Sequence, residues 1–425
     1  MSAVSGRAIA ARVISRVRED HAYAAAALAA ELSRHPALDP RERALATELT
    51  YGTLRTLGAL SARLSRFIPR GFDKTDPTVR AHLLVAAHQI LMLDRVPAFA
   101  AVDAAVSLVR ADRGAKPAGF ANAVLRKLAA EGRPLDRAQA IVDSAPEWLK
   151  ERLARDVGTD EMRALLGAAG DDPPVAVRVR SGSETPEWLE RAERGRVSPL
   201  ARLTRGEGDP RRREGGASLV VQEEGAQVIA LSLGVRPGER VLDACAGRGQ
   251  KSTLLSELLG GTGELWVSDV HPAKLSQLAK EHRRLGLPEP RAAAVDLALG
   301  VGGLTGEFDR ILVDAPCTGT GTLRRRPEIG HRLAPEDPAR MGELQARILE
   351  NVARLARPGG RVVYAVCSVL REEAEAVLER VADRYEPATF DAPELGALCG
   401  EQTQLRLLPL AHGTDGYFVA SLKRR

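Results

Sequence analysis

The chain is short of cysteine, with four in 425 residues: Cys245, Cys317, Cys367 and Cys399. That is too few, and too widely spaced, for a disulfide framework or for the paired ligands of a zinc site, so the thiols read as free in a reducing compartment. It also lacks a long apolar run. No stretch reaches the roughly 18 apolar residues of a membrane span. Near the N-terminus, Arg12, Arg16 and Arg18 interrupt the apolar core that a secretion signal needs. A soluble, cytoplasmic protein with neither membrane nor metal partner is expected.

At this length the chain exceeds one compact core, and a prior of roughly 100 to 200 residues per domain gives two or three. The net charge of +5 is unevenly spread: residues 1–140 hold 21 Lys and Arg against 13 Asp and Glu, residues 141–240 hold 16 against 18, and residues 241–425 hold 24 against 25. The excess is N-terminal. A domain that meets a polyanion would carry it there, although a solvated arginine-rich helical surface gives the same count.

Residues 6–132 show apolar spacing of three and four, as in AIAARVISRVRED and TVRAHLLVAAHQILMLD, with breakers at His35-Pro36, Pro69 and Pro97. They predict an all-helical domain in which ERALATELTYGTLRTLGALSARLSRFI is one of the periodic runs. Residues 133–160 predict further short helices, one of them capped by Ser144 ahead of Pro146 and Glu147. Val175 to Val179 reads as a strand, and 207–216, EGDPRRREGG, as a loop. From Arg240 the period changes. RVLDACA, ELWVSD, RAAAVD, ILVDAPC and GRVVYAVCS alternate with helical segments starting near Lys251, Pro272, Asp337 and Arg371. This is the pattern of a parallel sheet with helices on both faces, which binds ligands at the carboxyl ends of its strands. Asp243, Asp269, Asp296, Asp314, Cys317 and Cys367 all fall at or just past such ends.

The turn Cys245-Ala246-Gly247-Arg248-Gly249-Gln250-Lys251 leads from the first of these strands into a helix. Small residues there let a ligand approach the backbone and the helix amides, though an ordinary tight turn looks similar. Asp269, about twenty residues on, suits a ribose hydroxyl as well as it suits a helix N-cap. With no second glycine pair to cradle phosphates, an adenosyl ligand fits better than a dinucleotide.

Residues 241–251, 308–327 and 361–369 and the ending HGTDGYFVASL resemble the RNA cytosine-5 methyltransferase family typified by the bacterial 16S ribosomal RNA enzyme RsmB, also called Sun or Fmu. ELTYGTLRTL, RVPAFAAVDAAVSL and GFANAVLRKL resemble the NusB-like domain carried by that branch. The resemblance spans nearly the whole chain, most weakly at 180–215, and the two cysteine motifs in order are its specific part. It implies a multidomain protein: an all-α NusB-like RNA-binding domain (1–135), linker helices with a small N-terminal subdomain of the methyltransferase (136–215), and an α/β Rossmann-like class I methyltransferase domain (216–425). A monomer acting on RNA, foremost 16S ribosomal RNA, is the expected form. The implied cofactor is S-adenosyl-L-methionine, held by Cys245, Ala246, Gly247, Arg248, Gly249, Gln250, Lys251, Asp269, Asp296 and Asp314. Cys367 is the implied nucleophile, and Cys317 the thiol that assists product release.

The chemistry explains two thiols. Carbon 5 of cytosine is a poor nucleophile, and thiolate attack at carbon 6 turns it into an enamine able to take a methyl group. The proton on carbon 5 must then leave, which gives a second thiol work as base or relay. Asp314 suits ring nitrogen 3, and Lys251 favours thiolate or anionic intermediates. Arg324, Arg325 and Arg326, just past Cys317, suit RNA phosphates. Cys245 and Cys399 read as small buried hydrophobes. The chain departs from the family pattern at Gly247-Arg248-Gly249-Gln250, where Ala-Pro-Gly-Gly is usual, at Val366 in place of threonine, and at His331 in place of tryptophan. Two other readings stand beside this one. The first is an RNA-binding ribosome-assembly factor, catalytically impaired by its altered turn. The second, methylation of an exocyclic amine, wants an aromatic after a Pro pair, which Asp314-Ala315-Pro316-Cys317 lacks.

Overall fold

The computed structural model describes residues 5–132, 134–169, 172–205 and 208–425. The chain divides into two compact units, one comprising the chain up to Arg152 with 162–171 and Leu323–Leu333, the other comprising Leu153–Glu161, Asp172–Thr322 and Ala334–Arg425.

The first unit is helical. Its central helix, Pro77–Met92, is apolar nearly all round, and Val79, Leu83, Leu84, Val85, Ala87 and Leu91 are all buried. Such a helix has no solvent face and belongs in a core. Asp76 starts it, accepting from the Thr78 and Val79 amides ahead of Pro77 at the first helical position. The helices Gly6–Glu19, Pro40–Arg55, Ala98–Arg113 and Ala115–Glu131 pack against it.

The long periodic run of the sequence is broken at Thr56 into Pro40–Arg55 and Leu57–Ser65. The Thr56 hydroxyl donates to the Gly52 carbonyl at 2.8 Å, a local bond that competes with the helical ladder. Ser144 also differs from expectation. It ends the helix Arg137–Ser144, and its hydroxyl donates to the Ala140 carbonyl and accepts the Ala59 amide at 3.0 Å instead of capping the helix Glu147–Val157.

The second unit holds two sheets. Strands β1 (Val175–Val179), β2 (Glu193–Arg194), β3 (Arg202–Thr204) and β4 (Leu219–Val221) form a small antiparallel sheet in the order β2-β3-β1-β4. Between β3 and β4, the expected loop holds the short turns Pro210–Arg212 and Gly216–Ser218, and its residue 207 lies outside the described residues. The main sheet comprises β5 (Arg240–Asp243), β6 (Glu264–Asp269), β7 (Arg291–Ala294), β8 (Phe308–Asp314), β9 (Ala356–Val366), β10 (Tyr385–Pro387), β11 (Gln404–Leu407) and β12 (Tyr417–Arg424). Its order is β10-β12-β9-β8-β5-β6-β7, with β11 also paired to β12.

Strands β5 to β9 are parallel, and β12 lies antiparallel to β9. The apolar runs of β5, β8 and β9 are continuous because both faces are covered, while the edge strand β7 is largely exposed. Ile311, Val313, Tyr364 and Val366 join Leu349 and Val352 in one core, while Leu312, Val363 and Ala365 join Val228, Leu254 and Leu255 in the other. The chain winds from β5 outward through β6 and β7, then returns to β8 on the other side of β5. That reversal opens a crevice at the carboxyl ends of β5, β6 and β8.

The small sheet is tied to the helix that follows β5, Gln250–Leu258, through Arg178 of β1. This guanidinium is fully buried and donates to Glu257 at 2.7 Å, Gln222 at 2.7 Å and Thr253 at 2.8 Å.

Candidate active site

The crevice holds a cavity of about 410 Å³, in the range of small-ligand sites. Cys245, Gly247, Asp269, Asp296 and Asp314 line it, together with His271, Lys274 and an apolar set that includes Val270, Leu297, Pro316 and Ile348. Of the residues expected to hold a cofactor, Ala246, Arg248, Gly249, Gln250 and Lys251 stand outside the lining.

The turn after β5 is shaped by its two glycines. Gly247 has φ +56° and open space where a Cβ would stand, so a ligand can approach its backbone. Gly249 has φ +85°, and a Cβ there would lie 2.4 Å from Leu278 Cγ. Ala246 donates its amide to the Ser268 carbonyl at 2.8 Å, and the exposed Gln250 begins the helix and bonds the Val221 carbonyl at 3.1 Å. Arg248 is exposed.

Asp269 ends β6. It accepts the Gly247 amide at 3.1 Å and the His271 amide at 2.8 Å, with Lys274 Nζ 3.4 Å away. The N-cap of the helix Pro272–Arg284 is His271, so the carboxylate of Asp269 steadies the glycine turn instead of capping. Asp296, two residues past β7, accepts the Ala298 amide at 2.9 Å and keeps its carboxylate on the cavity. Asp243, the last residue of β5, is buried beneath. Burial pushes its pKa up to about 7 against the hydrogen bond from Ser252 at 2.6 Å, and its other oxygen has no partner among the described residues.

Asp314 ends β8 and meets Lys251 Nζ at 2.5 Å. Burial pulls the lysine pKa down, but the Asp314 carboxylate, with help from Asp243 and the Cys367 thiol, outweighs it and holds the pKa above the ordinary value. Three residues past Asp314, Cys317 Sγ stands 3.2 Å from Cys367 Sγ, which follows the end of β9. The Cys317 pKa is driven well up, first by its hydrogen bond to Cys367 and then by burial and neighbouring carboxylates. Strand pairing causes the meeting: β8 and β9 are parallel neighbours in the sheet, so residues just past their ends emerge side by side. Lys251, Asp314, Cys317 and Cys367 are thus brought together at one rim of the crevice. Cys245 lines the cavity with a thiol pushed up by burial, and Cys399 is buried in a core with its pKa raised to about 11 by burial.

Arg324, Arg325 and Arg326 fall with the helical unit. There Arg55 donates to the Arg324 carbonyl at 3.3 Å, and the Arg326 and Arg332 guanidinium carbons lie 4.9 and 4.5 Å from the centre of the half-exposed Tyr23 ring. His331 bonds the Leu54 carbonyl at 2.9 Å in the same unit.

Sequence reasoning missed Glu373 and Gln345. The Glu373 carboxylate is completely buried and accepts the Thr318 amide at 2.8 Å, the Thr318 hydroxyl at 2.5 Å, the Ser368 hydroxyl at 2.6 Å and Gln345 Nε2 at 3.1 Å. Their sequence signal is weak, since one sits in a charged Arg-Glu-Glu segment and the other on a periodic helix. His271 and Lys274 were legible in principle, because they follow Asp269 within five residues.

A parallel sheet with an antiparallel strand beside β9, an acid-lined crevice at its switch point and a helical unit ahead of it define the class: a Rossmann-like methyltransferase domain joined to a NusB-like domain. Residues 230–423 match the family described as 16S rRNA methyltransferase RsmB/F, and residues 5–130 match the NusB family. The chain is 35% identical over 98% of its length to a Mycobacterium tuberculosis protein named as a methyltransferase, 96% of which is covered. It is 33% identical over 99% of its length to the ribosomal RNA small subunit methyltransferase B of Xylella fastidiosa, covering 98% of that protein. The crystal structure of PH0851 shares the fold across 99% of both chains, with a TM-score of 0.82 at 24% identity. The chain belongs to the RsmB/F methyltransferase family.

Proposed function

We propose that the protein methylates carbon 5 of a cytosine in RNA, foremost 16S ribosomal RNA, through a covalent cysteine adduct. The observation that carries this reading is the pair of thiols 3.2 Å apart at the rim of the acid-lined crevice. One nucleophile suffices for many transfers, whereas two adjacent thiols suit a reaction that must both form and release a carbon–sulfur bond. The family description, 16S rRNA methyltransferase RsmB/F, and the names of the ribosomal RNA small subunit methyltransferase B relatives support 16S RNA as the substrate.

S-Adenosyl-L-methionine fits the cavity: the size suits an adenosyl group, Gly247 leaves open space at the turn, and Asp269 and Asp296 offer acceptors for hydroxyls beside apolar walls. When bound, it supplies an electrophilic methyl group. The Cys367 thiolate attacks carbon 6, forming the C–S bond and pushing an electron pair onto carbon 5. Asp314 bonds ring nitrogen 3 through a shared proton, and Lys251 Nζ beside it offsets the negative charge that develops on the ring. Once carbon 5 carries the methyl group, Cys317 acts as the thiolate and takes the proton from carbon 5. The electron pair re-forms the double bond, and the Cys367–carbon 6 bond breaks. A base in structured RNA must be unstacked to reach these sulfurs.

The test is incubation of the full chain with 16S RNA carrying 5-fluorocytosine and S-adenosylmethionine, followed by a denaturing gel and peptide mapping. Fluorine at carbon 5 blocks release, so a stable adduct on Cys367 is the expected result. An adduct on Cys317 reverses the two roles. No adduct and no cofactor binding would overturn the reading in favour of an assembly factor.

A further inference from the structure

We propose that Glu373 is the positioning residue of the thiol pair: its buried carboxylate ties the loop carrying Cys317 to the loop carrying Cys367 and so sets the distance between the sulfurs. The inference rests on the reading of both thiols as catalytic. Its geometry stands apart from that reading.

The two cysteines lie on separate loops, one after β8 and one after β9. Parallel pairing brings the strand ends together, but it stops short of the sulfurs: the register pairs Asp314 with Ala365, and past it a backbone bond from the Gly321 amide to the Cys367 carbonyl at 3.0 Å joins the two loops four residues beyond Cys317. Next to the sulfurs themselves the link is made by side chains. Thr318, next to Cys317, gives Glu373 both its amide at 2.8 Å and its hydroxyl at 2.5 Å. Ser368, next to Cys367, gives its hydroxyl at 2.6 Å. One carboxylate is therefore bonded one residue away from each thiol.

The clamp is itself held. Gln345 donates to Glu373 at 3.1 Å and to the Pro316 carbonyl at 2.9 Å, so the residue before Cys317 is fixed from the same side. The Tyr364 hydroxyl lies 2.7 Å from the Glu373 carbonyl, and the Thr320 and Ser368 hydroxyls are 2.9 Å apart. Every polar group facing the carboxylate is a donor. An ionised carboxylate satisfies all of them, whereas an amide in its place can keep its oxygen on the Thr318 amide and Gln345 only by turning its N–H₂ toward the Thr318 and Ser368 hydroxyls, which must then reverse from donor to acceptor. Burial pushes the Glu373 pKa up, and the bonds from Ser368 and Thr318 oppose it. A buried acid is a poor choice for mere filling, since an apolar side chain of similar volume would avoid the desolvation. Its placement is explained by what it joins.

The experiment uses the full chain with Glu373→Gln and Glu373→Ala and reads the sulfur spacing directly. Phenylarsine oxide binds tightly when two thiols close on one arsenic, so its affinity measures their distance, while iodoacetamide reports each thiol alone. The wild type is expected to chelate one arsenical through Cys317 and Cys367. Both variants should lose at least about tenfold in arsenical affinity and on the order of 100-fold in kcat, as misplacement by about 1 Å does elsewhere. Both thiols should still react with iodoacetamide, and cofactor affinity should stay within about twofold, which reports that the α/β unit is folded. If Glu373→Ala fails that folding check, Glu373→Gln decides. Arsenical binding as tight in the variants as in the wild type overturns the inference, as does loss of kcat with unchanged chelation. Failure of the wild type to form the 5-fluorocytosine adduct overturns the catalytic reading alone, because chelation reads the clamp without RNA.

Discussion

Cys317 and Cys367 stand with their sulfurs 3.2 Å apart, although 50 residues separate them in the chain. At that spacing both reach one base, and their two substitutions should fail at different steps. Cys367→Ala is expected to abolish transfer and adduct formation together. Cys317→Ala is expected to form the adduct and then stall, giving a denaturation-resistant protein–RNA complex with ordinary cytosine. A denaturing gel of both variants with S-adenosylmethionine present checks this, and a stalled complex with Cys367→Ala instead would exchange the assignments.

Lys251→Met should leave Asp314 without its cation. A drop of about 10²-fold in kcat is expected, comparable with loss of one preorganised electrostatic contact. Because the folded pKa of Lys251 is raised, the lysine stays charged through neutral pH, so the wild-type rate profile should carry no step from it between pH 6 and about 9. Single-turnover rates across that range provide the measurement.

Gly249→Ala and Gly247→Ala should separate folding from binding. The first introduces a Cβ 2.4 Å from Leu278 Cγ at φ +85° and should destabilise by about 1–3 kcal/mol in urea unfolding. The second, at φ +56° with open space around it, should be milder in unfolding yet weaken S-adenosylmethionine binding, read by calorimetric titration. Equal effects on both quantities would count against the turn as a ligand cradle.

Asp243 gives a pH signature with a definite sign. Its folded pKa is raised to about 7, so the folded chain keeps a proton that the unfolded chain releases near pH 4. This group's contribution to stability therefore falls as pH rises from about 4 to 7 and is level above that. Asp243→Asn removes the dependence. Relative to wild type, the variant should gain on the order of 2 kcal/mol in unfolding free energy at pH 8 compared with pH 5. A constant difference at the two pH values would contradict the raised pKa.

Arg326→Ala tests the proposed RNA contact in the helical unit. Removing one phosphate contact should lower the slope of log affinity against log salt by about 1 while leaving S-adenosylmethionine binding unchanged. Filter binding at several salt concentrations measures it.

Much of this was legible in the sequence, for identifiable reasons. The change from helical to strand period at Arg240 marks the main sheet, because strands buried on both faces write themselves as apolar runs such as Ile311 to Val313. The acids and cysteines at strand ends were readable because ligand chemistry in such sheets occupies those ends. What the sequence hid were relationships that depend on tertiary proximity. Thr56 ends a helix by a side-chain bond that periodicity does not encode, and Ser144 spends its hydroxyl on Ala59 and Ala140 where a cap was expected. Glu373 looks like one more surface acid until the fold buries it between two loops.

The segment Leu323–Leu333 belongs to the helical unit although the chain on either side of it, up to Thr322 and from Ala334, belongs to the other. Pro327, Glu328, Ile329 and Gly330 are buried, and Glu328 accepts the Ala24 amide at 3.3 Å. Neither unit is therefore a cassette that a single cut can release. An excised N-terminal fragment would carry an open scar where this excursion sat, and grafting a different helical module onto the catalytic half would mean replacing a stretch within sixteen residues of Cys317 as well as the module itself.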